Sequence, residues 1–257
     1  MCHPEIPAGT VPPPVRTDEV AIVVGSGERM PALLALPERT PAPAVLVVND
    51  AFGRVGFYEN LARRLAQAGY VALDPEYFFR EGPLQEQSRE HALARAAQLD
   101  QARTLDDLGA AVDWLRGRDE VKGGIGTIGF CMGGTLVLDL AASGKGVAAT
   151  VSYYGFPVRG RAGPPKPPPQ PVDLAERMTG RILGHWGDRD EGVGMHNVEA
   201  LRGKLRSAHV DHTFHIYPGL GHGFLRAFLE DEAAPGYEAA CLSWRRTLDF
   251  YQPTLQV

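Results

Sequence analysis

The apolar run Ile125–Phe130 enters Gly129-Phe130-Cys131-Met132-Gly133 and leaves as a helically spaced segment, Gly133–Ala142. Few other features could narrow the possible folds as far. A strand that becomes a helix within five residues turns so sharply that the residues two before and two after its centre crowd each other. Glycine removes the side chains that would collide, and Gly134 extends the clearance. Cys131 then stands at a helix N-terminus, where the macrodipole and free N–H groups favour a thiolate and an oxyanion alike. The pattern is the cysteine form of the G-x-S-x-G nucleophile turn. With 30 glycines in 257 residues, such flanking of one of three cysteines arises by chance about 4% of the time. Free cysteines are most often buried packing residues. Cys2 and Cys241 fit that description or a surface one; Cys131 does not.

The rest of the chain alternates. Val20–Val24 and Met30–Leu36 flank Gly25-Ser26-Gly27-Glu28 and predict a hairpin. Ala44–Val48 is a continuous apolar strand ended by Asn49-Asp50. A helix over Tyr58–Ala68 stops at Gly69, and Val71–Leu73 is a short buried strand. The Ala-rich stretch Leu84–Leu115 reads as two helices. Further strands fall at Ala148–Tyr153, Arg181–His185 and His212–Tyr217, with helices over Val193–Ser207 and Glu238–Tyr251. Hairpin strands followed by repeated strand–helix units predict a single α/β domain over residues 1–257. Its central sheet is mostly parallel, with about eight strands and helices on both faces. Residues 1–16, with Pro12–Pro14, read as an irregular lead-in. The proline-rich stretch 163–171 reads as a surface loop, because proline lacks the N–H that a helix or central strand needs. A protein partner docking on it has no other sequence feature behind it.

A net charge of −5 with interspersed signs, and no basic run, excludes an evident nucleic-acid surface. Apolar runs such as Ala44–Val48 are too short to cross a bilayer, so no membrane partner is expected. Met1-Cys2-His3-Pro4-Glu5 lacks the basic and apolar regions of a secretory signal. Three cysteines speak against a disulfide framework and for a reducing compartment. The expectation is a cytoplasmic protein acting on a small molecule.

A nucleophile of this kind needs a base and a carboxylate, which in this architecture follow it in the order acid, histidine. After the strand ending at His185 comes Gly187-Asp188-Arg189-Asp190-Glu191, and after the strand ending at Tyr217 comes Gly219-Leu220-Gly221-His222-Gly223-Phe224. Both lie at carboxyl ends of strands, where open α/β sheets place their sites. His222 would accept the thiol proton and later activate water, while a carboxylate holds its tautomer. Asp188 and Asp190 compete for that role, and spacing does not choose between them.

Through Gly129-Phe130-Cys131-Met132-Gly133-Gly134, Gly187-Asp188-Arg189-Asp190 and Gly221-His222-Gly223-Phe224, the chain resembles the dienelactone hydrolase family over roughly Ala21 to Pro253. The resemblance implies an α/β-hydrolase fold, a Cys131-His222-Asp190 triad, cleavage of a cyclic ester such as carboxymethylenebutenolide, and no cofactor or metal. It places two carboxylate-binding arginines at Arg89 and Arg226. It also implies an oxyanion hole from the backbone N–H groups of Ala51 and Met132. Asp50 stands where the family commonly has a glutamate that activates the thiol. In Pro75-Glu76-Tyr77-Phe78, where the family often reads Pro-Asp-Leu-Tyr, Phe78 offers a ring to substrate but no hydroxyl. Gly194 stands where proline is common.

Other readings remain. A promiscuous small-molecule carboxylesterase would use the same residues. Class I glutamine amidotransferases share a G-x-C-x-G turn, but carry glutamate two residues after the histidine, where this chain has Phe224. A non-catalytic binding or sensor protein of the same fold would retain the pattern without turnover.

Overall fold

The computed structural model describes residues 14–159, 169–229 and 232–256. Most of the lead-in, 1–13, and the proline-rich residues 163–168 lie outside the described residues. β1 (Arg16–Val23) and β2 (Arg29–Leu36) form the expected hairpin. β1 starts four residues before the apolar run because an edge strand pairs through its backbone. The strand is only partly buried and therefore tolerates Arg16, Asp18 and Glu19.

Six further strands follow: β3 (Ala42–Val48), β4 (Val71–Pro75), β5 (Val121–Phe130), β6 (Ala149–Tyr153), β7 (Arg181–Gly187) and β8 (His212–Tyr217). They make one eight-stranded sheet in the order β1-β2-β4-β3-β5-β6-β7-β8. β2 runs antiparallel to both neighbours, and the pairings from β4 to β8 are parallel. This is the mostly parallel sheet that the alternation predicts.

Helices α1 (Gly56–Gln67), α2 (Arg89–Ala96), α3 (Gln101–Arg116), α4 (Met132–Ala141), α5 (Pro171–Leu174), α6 (Met195–Ser207) and α7 (Tyr237–Leu255) complete the fold. Side chains alternate across the strands, so each buried strand feeds two cores. In β3, Val45 and Val47 join a core with Leu61 of α1 and Tyr251 of α7. Ala44, Leu46 and Val48 join another with Val112 of α3 and Val137 of α4. The stretch 84–115 divides into α2 and α3 because each has its own N-cap. Ser88 Oγ accepts the His91 N–H, and an Asp100 carboxylate oxygen accepts the Arg103 N–H.

Register aligns the carboxyl ends. Val48 pairs with Gly129, Phe130 with Tyr153, Tyr153 with His185, and Gly187 with Tyr217. The loops after β3, β5, β6, β7 and β8 therefore open along one edge of the sheet. Among the described residues, no helix is long and apolar enough to cross a membrane.

Candidate active site

At the end of β5, Cys131 takes φ 55° and ψ −117° and caps α4. Its N–H donates to the Tyr153 carbonyl at 3.0 Å, and its own carbonyl accepts the Thr135 N–H at 3.1 Å. These bonds hold a non-glycine residue in a backbone region that such residues seldom occupy. A Cβ on Gly129 would come within 2.1 Å of the Gly133 carbonyl oxygen. A Cβ on Gly133 would meet the carbonyl oxygens of Val48 and Asn49 at 2.1 and 2.3 Å. Gly133 is thus required by the neighbouring strand end rather than by its partner glycine.

The loops after β7 and β8 meet at His222. Its Nδ1 lies 2.7 Å from Asp190 Oδ2, and Asp190 is buried. An ionised carboxylate only accepts, so Nδ1 carries the proton and the neutral ring keeps its lone pair on Nε2. Asp190 Oδ1 accepts the Val193 N–H at 3.1 Å, which fixes the carboxylate in its own loop. Asp188 is exposed and accepts the Gly219 N–H at 2.7 Å, tying the two loops together instead. Tyr154 and Phe156 pack on the His222 ring, with centroids 4.9 and 5.5 Å away. Neither aromatic carries a signal in the sequence that marks it as a support for the histidine.

The loop after β3 is held from a distance. The Asp50 carbonyl accepts the Gly53 N–H at 2.9 Å and the Tyr77 hydroxyl at 3.2 Å, and the same hydroxyl donates to the Asn49 carbonyl at 2.8 Å. A trans peptide points its N–H opposite its C=O, so pinning that carbonyl sets the direction of the Ala51 N–H. Burial pushes the Tyr77 phenol well above its usual range, with the Asp50 charge acting the same way, and it remains a donor. One turn further, Arg95 of α2 donates to the Ala51 carbonyl at 3.2 Å and to the Gly82 carbonyl at 3.0 Å. Its guanidinium lies 4.0 Å over the Phe78 ring. Burial raises the nearby Glu76 carboxyl, against the pull of Arg95. Tyr77 and Arg95 escaped sequence reasoning because both act on backbone atoms.

Ala51, Met132, Cys131, Asp190 and His222 all line one cleft of about 650 Å³. Over residues 30–255 the chain matches the sequence profile of the dienelactone hydrolase family. The chain belongs to the dienelactone hydrolase family. A relative from Rhodococcus opacus named carboxymethylenebutenolidase is 31% identical over 257 residues, covering 100% of this chain and 98% of its own length. A Klebsiella pneumoniae crystal structure, described as "Putative Dienelactone Hydrolase", superposes with a TM-score of 0.83 at 30% identity. It covers 93% of this chain and 98% of that one. A dienelactone hydrolase-like promiscuous phosphotriesterase from metagenomic libraries shares the fold, with a TM-score of 0.77 at 24% identity and coverage of 94% and 99%.

Within this family of hydrolases, the departures noted in the sequence have structural counterparts. Asp50 is fully buried, and its Oδ1 accepts the Phe52 N–H at 2.9 Å. This bond two residues onward suits a short aspartate side chain. Phe78 has no exposed surface and stacks on Tyr77, so the expected contact with substrate is replaced by packing beneath the loop. Gly194 has φ 74°, which proline cannot adopt. Arg89 lines the cleft and is exposed, and nearby Glu86 lies 3.7 Å from His91. Arg226 is half-buried on the 3-10 turn Phe224–Leu229, outside the cleft wall. His222 precedes that turn, so the two residues do not share one helix. Arg189, in the acid loop, lines the cleft. Among the described residues no group of three or more His, Cys, Asp or Glu is placed to hold a metal ion.

Proposed function

We propose that the chain hydrolyses a carboxylate-bearing lactone or ester through a Cys131-His222-Asp190 triad and a thioester acyl-enzyme. The observation that carries this reading is the 2.7 Å His222–Asp190 pair on the wall of the cleft that Cys131 also lines. The Cys131 sulfur attacks the acyl carbon as its proton passes to His222 Nε2. The N–H groups of Ala51 and Met132 receive the oxyanion. The tetrahedral species collapses by breaking the acyl–oxygen bond, and the leaving oxygen takes the proton from His222. His222 then draws a proton from water, whose oxygen attacks the thioester; release of the acid returns the proton to sulfur. Asp50 serves this route by shaping the loop that presents Ala51.

The relative named carboxymethylenebutenolidase supports a small acidic lactone as substrate. Arg89 on the rim supplies the cation for its carboxylate, and Arg189 adds a second charge near the triad. Cys131 and Cys241 are free thiols, which suits a reducing cytoplasmic setting. Replacing Cys131 with Ala should lower kcat on an activated aryl ester at least about a thousandfold. The variant should keep the wild-type circular dichroism spectrum and melting temperature within a few degrees. Turnover like that of wild type in this variant would overturn the mechanism.

A further inference from the structure

The cleft is larger and more apolar than a small acidic lactone requires. Its 650 Å³ falls within the range of pockets that enclose drug-sized molecules. Its lining includes an apolar group, which forms the arm considered below: Leu93 and Ala96 of α2, Leu99 in the α2–α3 connection and Leu136 of α4. Leu93 is 52% exposed, one of three large hydrophobic side chains so exposed among the described residues. It is also the one of those three that stands on the cleft wall. Gln101 and Arg159, also on the lining, both bond to Asp139.

The arm also has a direction. Asp190 and His222 follow β7 and β8, whereas α2 packs through Ala92 on Ala51 and Phe52 after β3, and α3 packs on β1, β3, β4 and β5. The leaving oxygen must face His222 to take its proton. A substituent reaching the opposite way, into the arm, belongs to the acyl portion of the substrate.

We propose that this enzyme's substrates carry a medium-length hydrocarbon on the acyl side, seated between Leu93, Ala96, Leu99 and Leu136. The inference rests on the hydrolase reading above and adds a substrate class to it. Each methylene buried in such an arm contributes about 0.8 kcal/mol, a ceiling of about fourfold in kcat/KM per carbon.

The test is a series of p-nitrophenyl esters from acetate to octanoate, kept below their aggregation limit and normalised to hydroxide-catalysed rates. We expect kcat/KM to rise at least tenfold from acetate to hexanoate. Ala96→Phe, which fills the arm, should lower the hexanoate-to-acetate ratio at least fivefold. Leu93→Asn, at an exposed position that folding tolerates, should lower it by a smaller factor. A flat or falling profile with acetate still cleaved through Cys131 overturns this inference and leaves the hydrolase reading standing. Failure of the wild type to cleave any ester above the Cys131→Ala background overturns the hydrolase reading itself.

Discussion

One wall of the cleft carries Cys131, Asp190 and His222, each in a short contiguous motif. The facing wall carries the Asn49–Arg54 loop, whose shape depends on Tyr77 and Arg95, side chains 27 and 44 residues away in sequence from the carbonyls they hold. On the first wall glycines and loop carboxylates within those motifs hold the geometry, joined by backbone groups such as the Tyr153 carbonyl and the Gly219 N–H. On the second, buried donors fix it by reaching across the fold. Groups that perform chemistry must be particular residue types at particular spacings. Groups that only grip a carbonyl need one N–H or O–H and can come from anywhere nearby in space. That difference separates what a sequence displays from what it conceals.

Asp139 joins α4 to α3 and to the loop after β6 behind the cleft lining, and breaking that junction should produce the largest effect on the fold. Asp139 of α4 bonds to Gln101 of α3 and to Arg159, and one of its carboxylate oxygens has no partner among the described residues. Burial raises its carboxyl from 3.8 to about 6, outweighing Arg159 and Gln101. Because the folded value lies above the unfolded one, the folded chain holds the proton more tightly. Stability from this group is therefore greatest below pH 4 and declines as pH rises towards 6, by about 3 kcal/mol in all. Urea unfolding at several pH values should show that decline in the wild type and its absence in Asp139→Asn. Parallel curves for the two proteins would remove the junction from the comparison.

A sharper test isolates the distant bracing. Tyr77→Phe keeps the ring stacked on Phe78 at 4.6 Å and deletes the hydroxyl that holds the Asn49 and Asp50 carbonyls. Loosening one oxyanion donor should lower kcat about tenfold, a fraction of the loss when such a donor is removed outright. KM should move by no more than about twofold. Stopped-flow and steady-state rates on an aryl ester separate the two constants. An unchanged kcat would mean the loop holds itself, and the contrast between the walls would fail.

The smallest expected effect concerns the rim. Arg89→Ala should reduce kcat/KM for a carboxylated lactone about fivefold more than for a neutral ester, the scale of an exposed charge contact of about 1 kcal/mol. Arg226→Ala, off the cleft wall, should change both substrates alike. A selective loss at Arg226 would show that the 3-10 turn rearranges when substrate enters.

Most of the sheet is legible because buried parallel strands such as Ala44–Val48 read as apolar runs of the right length, while the partly buried edge strand His212–Tyr217 is marked by β-branched and aromatic residues. The elbow was legible because no other residue type replaces Gly129 or Gly133 there. Spacing does not choose between Asp188 and Asp190, since both precede turns in the same loop; the family resemblance points to Asp190, and the fold brings Asp190 to His222. The burial of Phe78 is not legible, because the residues Pro75–Phe78 do not show in sequence which way their rings face. A single hydroxyl at Tyr77, aimed at the backbone, turns the segment into a support.

The backbone setting of Cys131 also limits what the protein can become. At φ 55° a branched β-carbon is sterically excluded, so threonine could not serve at this position, while the unbranched serine could. The turn admits an exchange of sulfur for oxygen without rebuilding, and closes off the third hydroxyl or thiol nucleophile. A single torsion angle thereby confines the chemistry open to descendants of this scaffold.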